Sequence, residues 1–125
     1  MSSLLAGASA IQDILNQTQS TPVRVFVVWE PMLPTDWSSP TRPVLGRVHD
    51  VRAAQFWDKN HLVAGELKNQ LHGATPHCCE NSGILWDMVA LYPAGVRWTD
   101  GAPTFFDGPV WKISLELSKR LSDQP

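Results

Sequence analysis

The amino-acid sequence predicts a single domain of the α/β class. Residues 23–29 are almost entirely apolar and rich in β-branched and aromatic side chains, which is typical of a strand covered on both faces by helices. Two other segments, residues 8–18 and 110–122, repeat apolar residues at the spacing of an amphipathic helix. A chain of 125 residues is long enough for one such domain and too short for two ordinary ones, so the domain is expected to span residues 1–125.

The first part of the chain is predicted to form a helix followed by the central strand. Ile11, Ile14 and Leu15 recur on one side of the segment 8–18, and polar residues occupy the other side. A Ser-Thr-Pro tripeptide then ends the helix before the strand at 23–29. Because this strand is so apolar, we expect it in the middle of a sheet with helices on each side.

The middle of the chain is predicted to contain a long loop and two helices. Four prolines within residues 31–46 exclude a helix or a central strand, so this segment is expected to be a loop. Asp50 suits the N-cap of a short helix over residues 51–58. A second helix is predicted at residues 63–71, where three apolar residues recur at intervals of four.

The last part of the chain is predicted to form a hairpin and a final helix. The elements expected there are, in order, a polar loop at 73–83, a strand at 84–92, a returning hairpin arm at 96–98, a loop at 101–108 and a helix at 110–122. The hairpin follows from the turn sequence Pro-Ala-Gly between its two arms. Pro109 suits the first turn of the final helix. The buried stripe of that helix is predicted to be Val110, Ile113, Leu117 and Leu121.

Composition and charge exclude several classes of function. The formal net charge is −2 and no basic run occurs, which argues against a nucleic-acid partner. No apolar run approaches the about 20 residues of a membrane-spanning helix. The N-terminus lacks the charged segment and the long apolar core of a signal peptide, so a soluble protein is expected and its compartment stays open.

The predicted elements follow the order helix, strand, loop, helix, strand hairpin and helix. This order resembles the thioredoxin-like fold. In that family a central strand follows the first helix, and the chain ends in a β-hairpin and a final helix. Residues 91–96, with the sequence LYPAGV, resemble the turn of that hairpin. The resemblance implies a three-layer α/β sandwich that lacks the family's first strand.

The sequence departs from the thioredoxin-like family where that family carries its redox chemistry. The CxxC motif would fall near residues 2–5, which contain no cysteine. The cis-proline of the family would fall near Ile84 or Leu85, neither of which is proline, or at Pro103 in a second alignment in which residues 104–106 are the last strand. The first alignment is preferred because it leaves a full helix at the C-terminus. The resemblance therefore implies a degenerate or truncated member, and ordinary CxxC chemistry is not expected.

The two cysteines of the chain, Cys78 and Cys79, are adjacent. A thiolate is both a nucleophile and a soft-metal ligand, and a neighbouring imidazolium lowers its pKa. Together with His72 and His77, the pair offers ligands for Zn²⁺, Cu⁺ or Hg²⁺. The alternatives to metal binding are disulfide exchange and inert thiols in a loop.

The adjacency of Cys78 and Cys79 bears on the choice between metal binding, disulfide exchange and inert thiols. Adjacent residues of an extended chain point to opposite sides, which argues against simple zinc chelation by Cys78 and Cys79. A vicinal disulfide requires a distorted peptide. The thioredoxin-like resemblance implies that the pair lies at the end of the fold that usually faces the CxxC site.

A second candidate site follows the central strand. Trp29, Glu30, Asp36 and Trp37 leave its carboxyl end, where open α/β sheets usually bind ligands. The carboxylates suit acid, base or hard-metal roles, and the indoles suit the walls of an apolar pocket. The alternative is that both tryptophans are packed and Asp36 caps a turn. His61 is interpreted as a surface or capping residue, with catalysis as the alternative.

Two classes of function remain. The first is a thiol protein in which Cys78 and Cys79 exchange disulfides with a protein thiol or disulfide partner, or capture a thiophilic metal. If it is an enzyme, it is a thiol-disulfide oxidoreductase. The second is a non-catalytic binding or assembly module that retains the fold without redox chemistry. Because a missing edge strand leaves a sheet edge to be covered, a homodimer is expected in either case.

Overall fold

The mixed α/β class is confirmed by a computed structural model, which describes residues 2–31, 38–71, 78–81, 84–98 and 100–123. The helices are α1 (Ser2–Gln17), α2 (Arg42–Leu45), α3 (Leu62–Gln70) and α4 (Ser114–Ser122). The strands are β1 (Val25–Trp29), β2 (Ala53–Trp57), β3 (Glu80–Asn81), β4 (Ile84–Leu85), β5 (Val89–Leu91) and β6 (Phe105–Asp107). None of the described helices is long and apolar enough to cross a membrane.

The described strands pair two by two. Strands β1 and β2 are parallel, with Val25 opposite Ala53 and Trp29 opposite Trp57, so their carboxyl ends coincide. Strands β3 and β4 are antiparallel, and so are β5 and β6. Within the described chain these pairs form three separate two-stranded sheets.

Helix α1 joins two apolar clusters. Ala8 and Leu15 on α1 form the first cluster with Val48, and alternate residues of β1 pack against it. Ile14, one position before Leu15, forms the second cluster with Leu117 and Leu121 of α4, to which apolar residues of β5 and β6 contribute. The periodicity that predicted the helix at 8–18 therefore marks residues that face two different partners.

Arg52 fixes the end of α1 to the start of β2. Its guanidinium donates hydrogen bonds to the carbonyl oxygens of Leu15, Thr18 and Thr21, at 2.7 to 3.0 Å. It also forms an ion pair with Asp50 at 2.9 Å, and the partnership holds the pKa of that carboxyl down at about 2. Because the last carbonyls of a helix lack partners within the helix, Arg52 supplies part of the C-terminal cap of α1.

The covering of the central strand differs from the expectation. Val25, Val27 and Trp29 face the first cluster, but Phe26 is 66% exposed. Its neighbour on the other strand, Phe56, is 51% exposed, and the two ring centroids lie 6.2 Å apart. The prediction that helices cover both faces was therefore wrong for the face that carries these two rings.

Two predictions for the middle of the chain were also wrong. Residues 51–58 do not form a helix, because Ala53–Trp57 is strand β2 and pairs with β1. Asp50, expected as a helix N-cap, binds Arg52 instead. Within the predicted loop 31–46, α2 forms with a proline in its first turn, where the missing N–H group has no helical partner to lose.

The hairpin near the C-terminus uses a different second arm from the predicted one. Strand β5 pairs with residues 105–107, and residues 96–98 are not a strand. The preferred alignment placed 105–107 in a loop, whereas the second alignment had its last strand at 104–106. The predicted strand 84–92 is divided into β4 and β5. Helix α4 begins at Ser114, and the cis peptide bond in this region is Gly108–Pro109, which neither alignment of the hairpin anticipated.

The prediction of a helix at 63–71 was confirmed, and that of a final helix at 110–122 was confirmed in part. Helix α3 covers the segment predicted at 63–71, although it ends one residue earlier. Helix α4 begins four residues later than predicted, so of the predicted stripe only Leu117 and Leu121 lie on it, and both are buried. Val110 and Ile113 precede the helix; Val110 is buried and Ile113 packs against the second cluster.

Candidate functional site

Cys78 and Cys79 are joined by a disulfide bond. Neither cysteine is free. Cys79 has a φ of 71°, in the left-handed region that non-glycine residues rarely adopt. The opposite orientation expected for adjacent side chains assumed an extended backbone, and the left-handed Cys79 removes that assumption. Both sulfur atoms therefore lie on the same side of the chain.

The two sulfur-bearing residues differ in exposure. Cys79 is buried, with 8% of its surface exposed, whereas Cys78 is only half-buried. Cys79 is enclosed by Gly108: a methyl group added to that glycine would lie 3.1 Å from Sγ of Cys79 and 2.5 Å from the carbonyl oxygen of Asp87. Only a residue without a side chain fits at this position, so Gly108 is part of the wall of the site.

Asp87 connects the disulfide to the first helix. Its own φ is 52°, and its Oδ1 accepts a hydrogen bond of 3.3 Å from the Val110 N–H group. A methyl group on Gly7 of α1 would lie 3.3 Å from that same oxygen. On the other side, the Trp86 N–H group donates to the carbonyl oxygen of Cys79 at 2.8 Å. Asp87 thus lies between Gly7 of α1 and Gly108, and Gly108 in turn packs against the sulfur of Cys79.

The other predicted metal ligands, His72 and His77, lie outside the described residues. Across the described parts of the chain, no group of three or more histidine, cysteine, aspartate or glutamate side chains is placed to hold a metal ion. The disulfide sulfurs carry no thiolate, so the oxidised pair offers no thiolate ligand to a soft metal.

The predicted pocket after the central strand is only partly described, since Asp36 and Trp37 lie outside the described residues. Trp29 faces the first cluster and its Nε1–H donates to Gln55 at 2.9 Å. The Gln55 amide in turn donates to the carbonyl oxygens of Leu45 and Val48. Trp29 is therefore a packed residue with a fixed indole, as the alternative interpretation of this segment held.

Glu30 meets a residue that the sequence did not associate with it. Its Oε2 lies 3.3 Å from Nδ1 of His61, and their side chains are 12% and 22% exposed. Burial raises the pKa of Glu30, the contact with His61 lowers it, and the charge of Asp58 raises it again. Asp58 is buried and accepts hydrogen bonds from the Leu62 and Val63 N–H groups at the start of α3.

Two residues of these sites were missed in the sequence. His61 was interpreted as a surface or capping residue, but it makes no side-chain cap and contacts Glu30. The sequence pattern indicates only that Gly108 ends the predicted loop at 101–108. A signal for His61 was present: it follows a strand-like segment, and the carboxyl ends of neighbouring parallel strands meet at one edge of a sheet. Because residues 51–58 were predicted as a helix, the sequence did not indicate that His61 follows a strand next to the one that ends before Glu30.

Comparison with known proteins adds no further constraint on the site, because the chain matches no protein-family model, no curated protein and no solved structure.

Proposed function

We propose that the protein is a thiol-disulfide exchange protein whose redox group is the Cys78–Cys79 pair. The observation that carries the proposal is a disulfide between adjacent cysteines of unequal exposure, with Cys79 buried against Gly108 and Cys78 half-buried. Disulfide exchange begins with the attack of a thiolate on an accessible sulfur. Cys78 is the more exposed residue of the two, so its sulfur is the proposed point of attack.

The proposed reaction oxidises a dithiol partner protein. One partner thiolate attacks Sγ of Cys78, the Cys78–Cys79 bond breaks, and Cys79 leaves as a thiolate that takes up a proton. The second partner thiolate then attacks the partner sulfur of the mixed disulfide and releases Cys78. Two electrons pass from the partner to the cysteine pair, and the partner leaves with a new disulfide.

The backbone of Cys79 supplies a reason for the pair to accept electrons. A non-glycine residue held in the left-handed region costs of order 1–3 kcal/mol. Once the bond to Cys78 is broken, Cys79 is free to adopt an ordinary φ, which favours the reduced form. We expect this contribution to make the pair an oxidant of its partner rather than an inert structural link.

The proposal includes a thioredoxin-like arrangement of the fold. A helix precedes the first described strand, a parallel strand pair and an antiparallel pair follow, and the last helix packs with the first through Ile14, Leu117 and Leu121. These features support the resemblance. The parallel and antiparallel pairs are separate in the described residues, so the continuous sheet of that family remains part of the proposal.

Thiol counting tests the redox proposal. Protein purified without reductant is denatured and alkylated with a maleimide, before and after reduction, and the mass gives the number of thiols. We expect none before reduction and two after it. In glutathione buffers of graded potential, the fraction oxidised is expected to change reversibly. Two free, slowly reacting thiols in the native protein would contradict the proposal and favour the non-catalytic module.

The two single serine variants form a matched pair for the order of events. Cys79→Ser leaves the more exposed thiol, and Cys78→Ser leaves the buried one. We expect the Cys79→Ser protein to form a mixed disulfide with oxidised glutathione faster than the Cys78→Ser protein. Equal rates, or the opposite order, would rule out Cys78 as the point of attack.

Capture of a soft metal ion is a second candidate for the same residues. The left-handed Cys79 places both sulfurs on one side of the chain, so the reduced pair can present two thiolates to one Cu⁺, Hg²⁺ or Zn²⁺ ion. His72 and His77 complete the ligand set of this candidate. Reduced protein that retains one equivalent of Hg²⁺ after desalting, while the double serine variant retains none, would favour it.

Self-association is a further part of the proposal, and it also serves the alternative of an assembly module. The face of β1 and β2 that carries Phe26 and Phe56 is open, and an exposed sheet with aromatic side chains is a frequent site of association. We expect a dimer by sedimentation at micromolar concentration, and a monomer after replacement of both phenylalanines with serine. A monomeric unmodified protein contradicts the proposed dimer.

A further inference from the structure

The carboxyl ends of β1 and β2 bring together three side chains outside the cysteine site. Glu30 directly follows β1, and Asp58 and His61 lie between β2 and α3. The Asp58 N–H group donates to the carbonyl oxygen of Trp29 at 2.7 Å, which holds the two strand ends together. Such strand ends are where parallel α/β sheets usually bind ligands.

The contact between Glu30 and His61 is too long for a strong hydrogen bond. Nδ1 and Oε2 are 3.3 Å apart, whereas a charge-assisted N–H···O contact measures about 2.7–2.9 Å. Among the described residues, neither Nδ1 of His61 nor Oε1 of Glu30 has a hydrogen-bond partner, although both atoms are buried. Buried polar atoms without partners are rare, and an ion or a water is a common explanation.

The same separation fits two ligands of one tetrahedral ion. Zinc binds histidine nitrogen and carboxylate oxygen at about 2.0–2.2 Å, which places two ligand atoms of a tetrahedron roughly 3.3 Å apart. His61 is held in the left-handed conformation, with a φ of 57°. This backbone conformation of His61 costs free energy, and it occurs next to the two atoms without hydrogen-bond partners, Nδ1 of His61 and Oε1 of Glu30. The combination points to a functional role for the imidazole.

The charges at this place also favour a cation. Asp58 is buried, the Glu30 side chain is 12% exposed, and Asp58 is close enough for its charge to act on Glu30. In the described part of the chain, no lysine or arginine forms an ion pair with either of them. One imidazole cannot balance two carboxylates. A divalent cation bound to Glu30 and His61 would compensate the remaining negative charge.

We propose that Glu30 and His61 bind a divalent transition-metal ion of the Zn²⁺ class, independently of the cysteine pair. The described residues place no third ligand beside them, so water or another ligand fills the remaining positions. The site is therefore an open one, of modest affinity, and its open positions are available to a small ligand with a donor oxygen or nitrogen.

The test uses the full chain with both cysteines replaced by serine, so that thiols do not bind the metal. Calorimetric titration with Zn²⁺ is expected to show one saturable site. Glu30→Gln and His61→Asn are expected to weaken that site by more than about tenfold, the effect that even indirect changes at metal sites produce. Asparagine is chosen because it tolerates the left-handed conformation of residue 61.

The matched controls Glu116→Gln and His49→Asn alter an exposed carboxylate and an exposed imidazole elsewhere, and we expect both to bind Zn²⁺ normally.

A second measurement guards against misfolded variants. In the serine background, the imidazole resonances of His61 are expected to shift on addition of Zn²⁺, while those of His49 stay in place. Absence of Zn²⁺ binding to the serine-background protein, binding unchanged by both site variants, or no shift of His61 each overturns the proposal. Because the serine-background protein has no thiols, the result of this test is independent of whether the unmodified protein performs disulfide exchange.

Discussion

Single residues in unusual backbone conformations mark both candidate sites. The described chain has three non-glycine residues with positive φ, namely His61, Cys79 and Asp87. One lies in the contact with Glu30, and the other two lie at the disulfide. Because such residues cost free energy and persist only when their surroundings hold them, their grouping gives both sites a physical distinction from the rest of the chain.

At Gly108, substitution by alanine is expected to destabilise the protein by about 1–3 kcal/mol, the usual cost of overpacking a filled site. The added methyl group would lie 2.5 Å from a backbone oxygen of Asp87, which does not move aside easily. Urea unfolding followed by circular dichroism measures the change. Gly101→Ala is the matched control, because a methyl group there meets no atom within 4 Å. Equal stability of the two variants would contradict the close contact at Cys79.

The chemistry of individual residues was only partly readable from the sequence. Cys78 and Cys79 could be identified as candidate site residues from the sequence alone, because they are adjacent and the chain has no other cysteine. The roles of Gly108 and His61 depend on contacts with residues about 30 positions away, Cys79 and Glu30. A single sequence carries no direct record of such contacts, so local patterns do not reveal them.

Helix α3 carries a glycine whose replacement is expected to stabilise the protein. Gly65 lies inside the helix, is exposed, and a methyl group there would meet nothing within 4 Å. Gly65→Ala is therefore expected to gain about 0.4–1 kcal/mol through the lower entropy of the unfolded chain. Gly7→Ala, in α1, is the contrasting variant, since its methyl group would lie 3.1 Å from Cβ of Val110. Thermal unfolding that ranks Gly7→Ala above Gly65→Ala would contradict this packing.

The link between α1 and β2 is expected to weaken in acid. Arg52 lowers the pKa of Asp50 to about 2 in the folded protein, from an ordinary value of 3.8. A carboxyl group with a lowered folded pKa stabilises the fold above its unfolded pKa, and this stabilisation disappears as the pH falls from about 4 towards 2. Comparison of unfolding midpoints for the unmodified protein and Asp50→Asn across this range is the measurement. The difference between them should shrink as the pH falls, and a constant difference would contradict the link.

The elements show where sequence periodicity suffices. Helices α1, α3 and α4 were found because their apolar residues recur within one element and need no partner to be recognised. Strand β2 was missed because Ala53–Trp57 is short and its identity depends on β1, which lies 28 positions earlier along the chain. Strand β6 was part of the second alignment only, because residues 96–98 offered a nearer partner for β5 and a suitable turn.

The molecule as a whole depends on α1, because this helix contributes to both apolar clusters. Leu15 is 1% exposed and belongs to the first cluster. Leu15→Ala is therefore expected to cost about 2–5 kcal/mol of unfolding free energy, as buried leucines generally do. Leu115→Ala is the matched control, since Leu115 is 87% exposed and is expected to change stability little. A loss at residue 15 no larger than the loss at residue 115 would contradict the position of the core.

The vicinal disulfide has a practical consequence for anyone who studies this protein in solution. A bond between adjacent residues ties no distant parts of the chain together. The oxidised and reduced proteins are therefore expected to migrate alike on a non-reducing gel and to elute alike from a sizing column. Their masses differ only by two hydrogen atoms. Redox state will therefore be visible to labelling of the sulfurs or to accurate mass measurement, and an unchanged gel band will be no sign that the cysteines are inert.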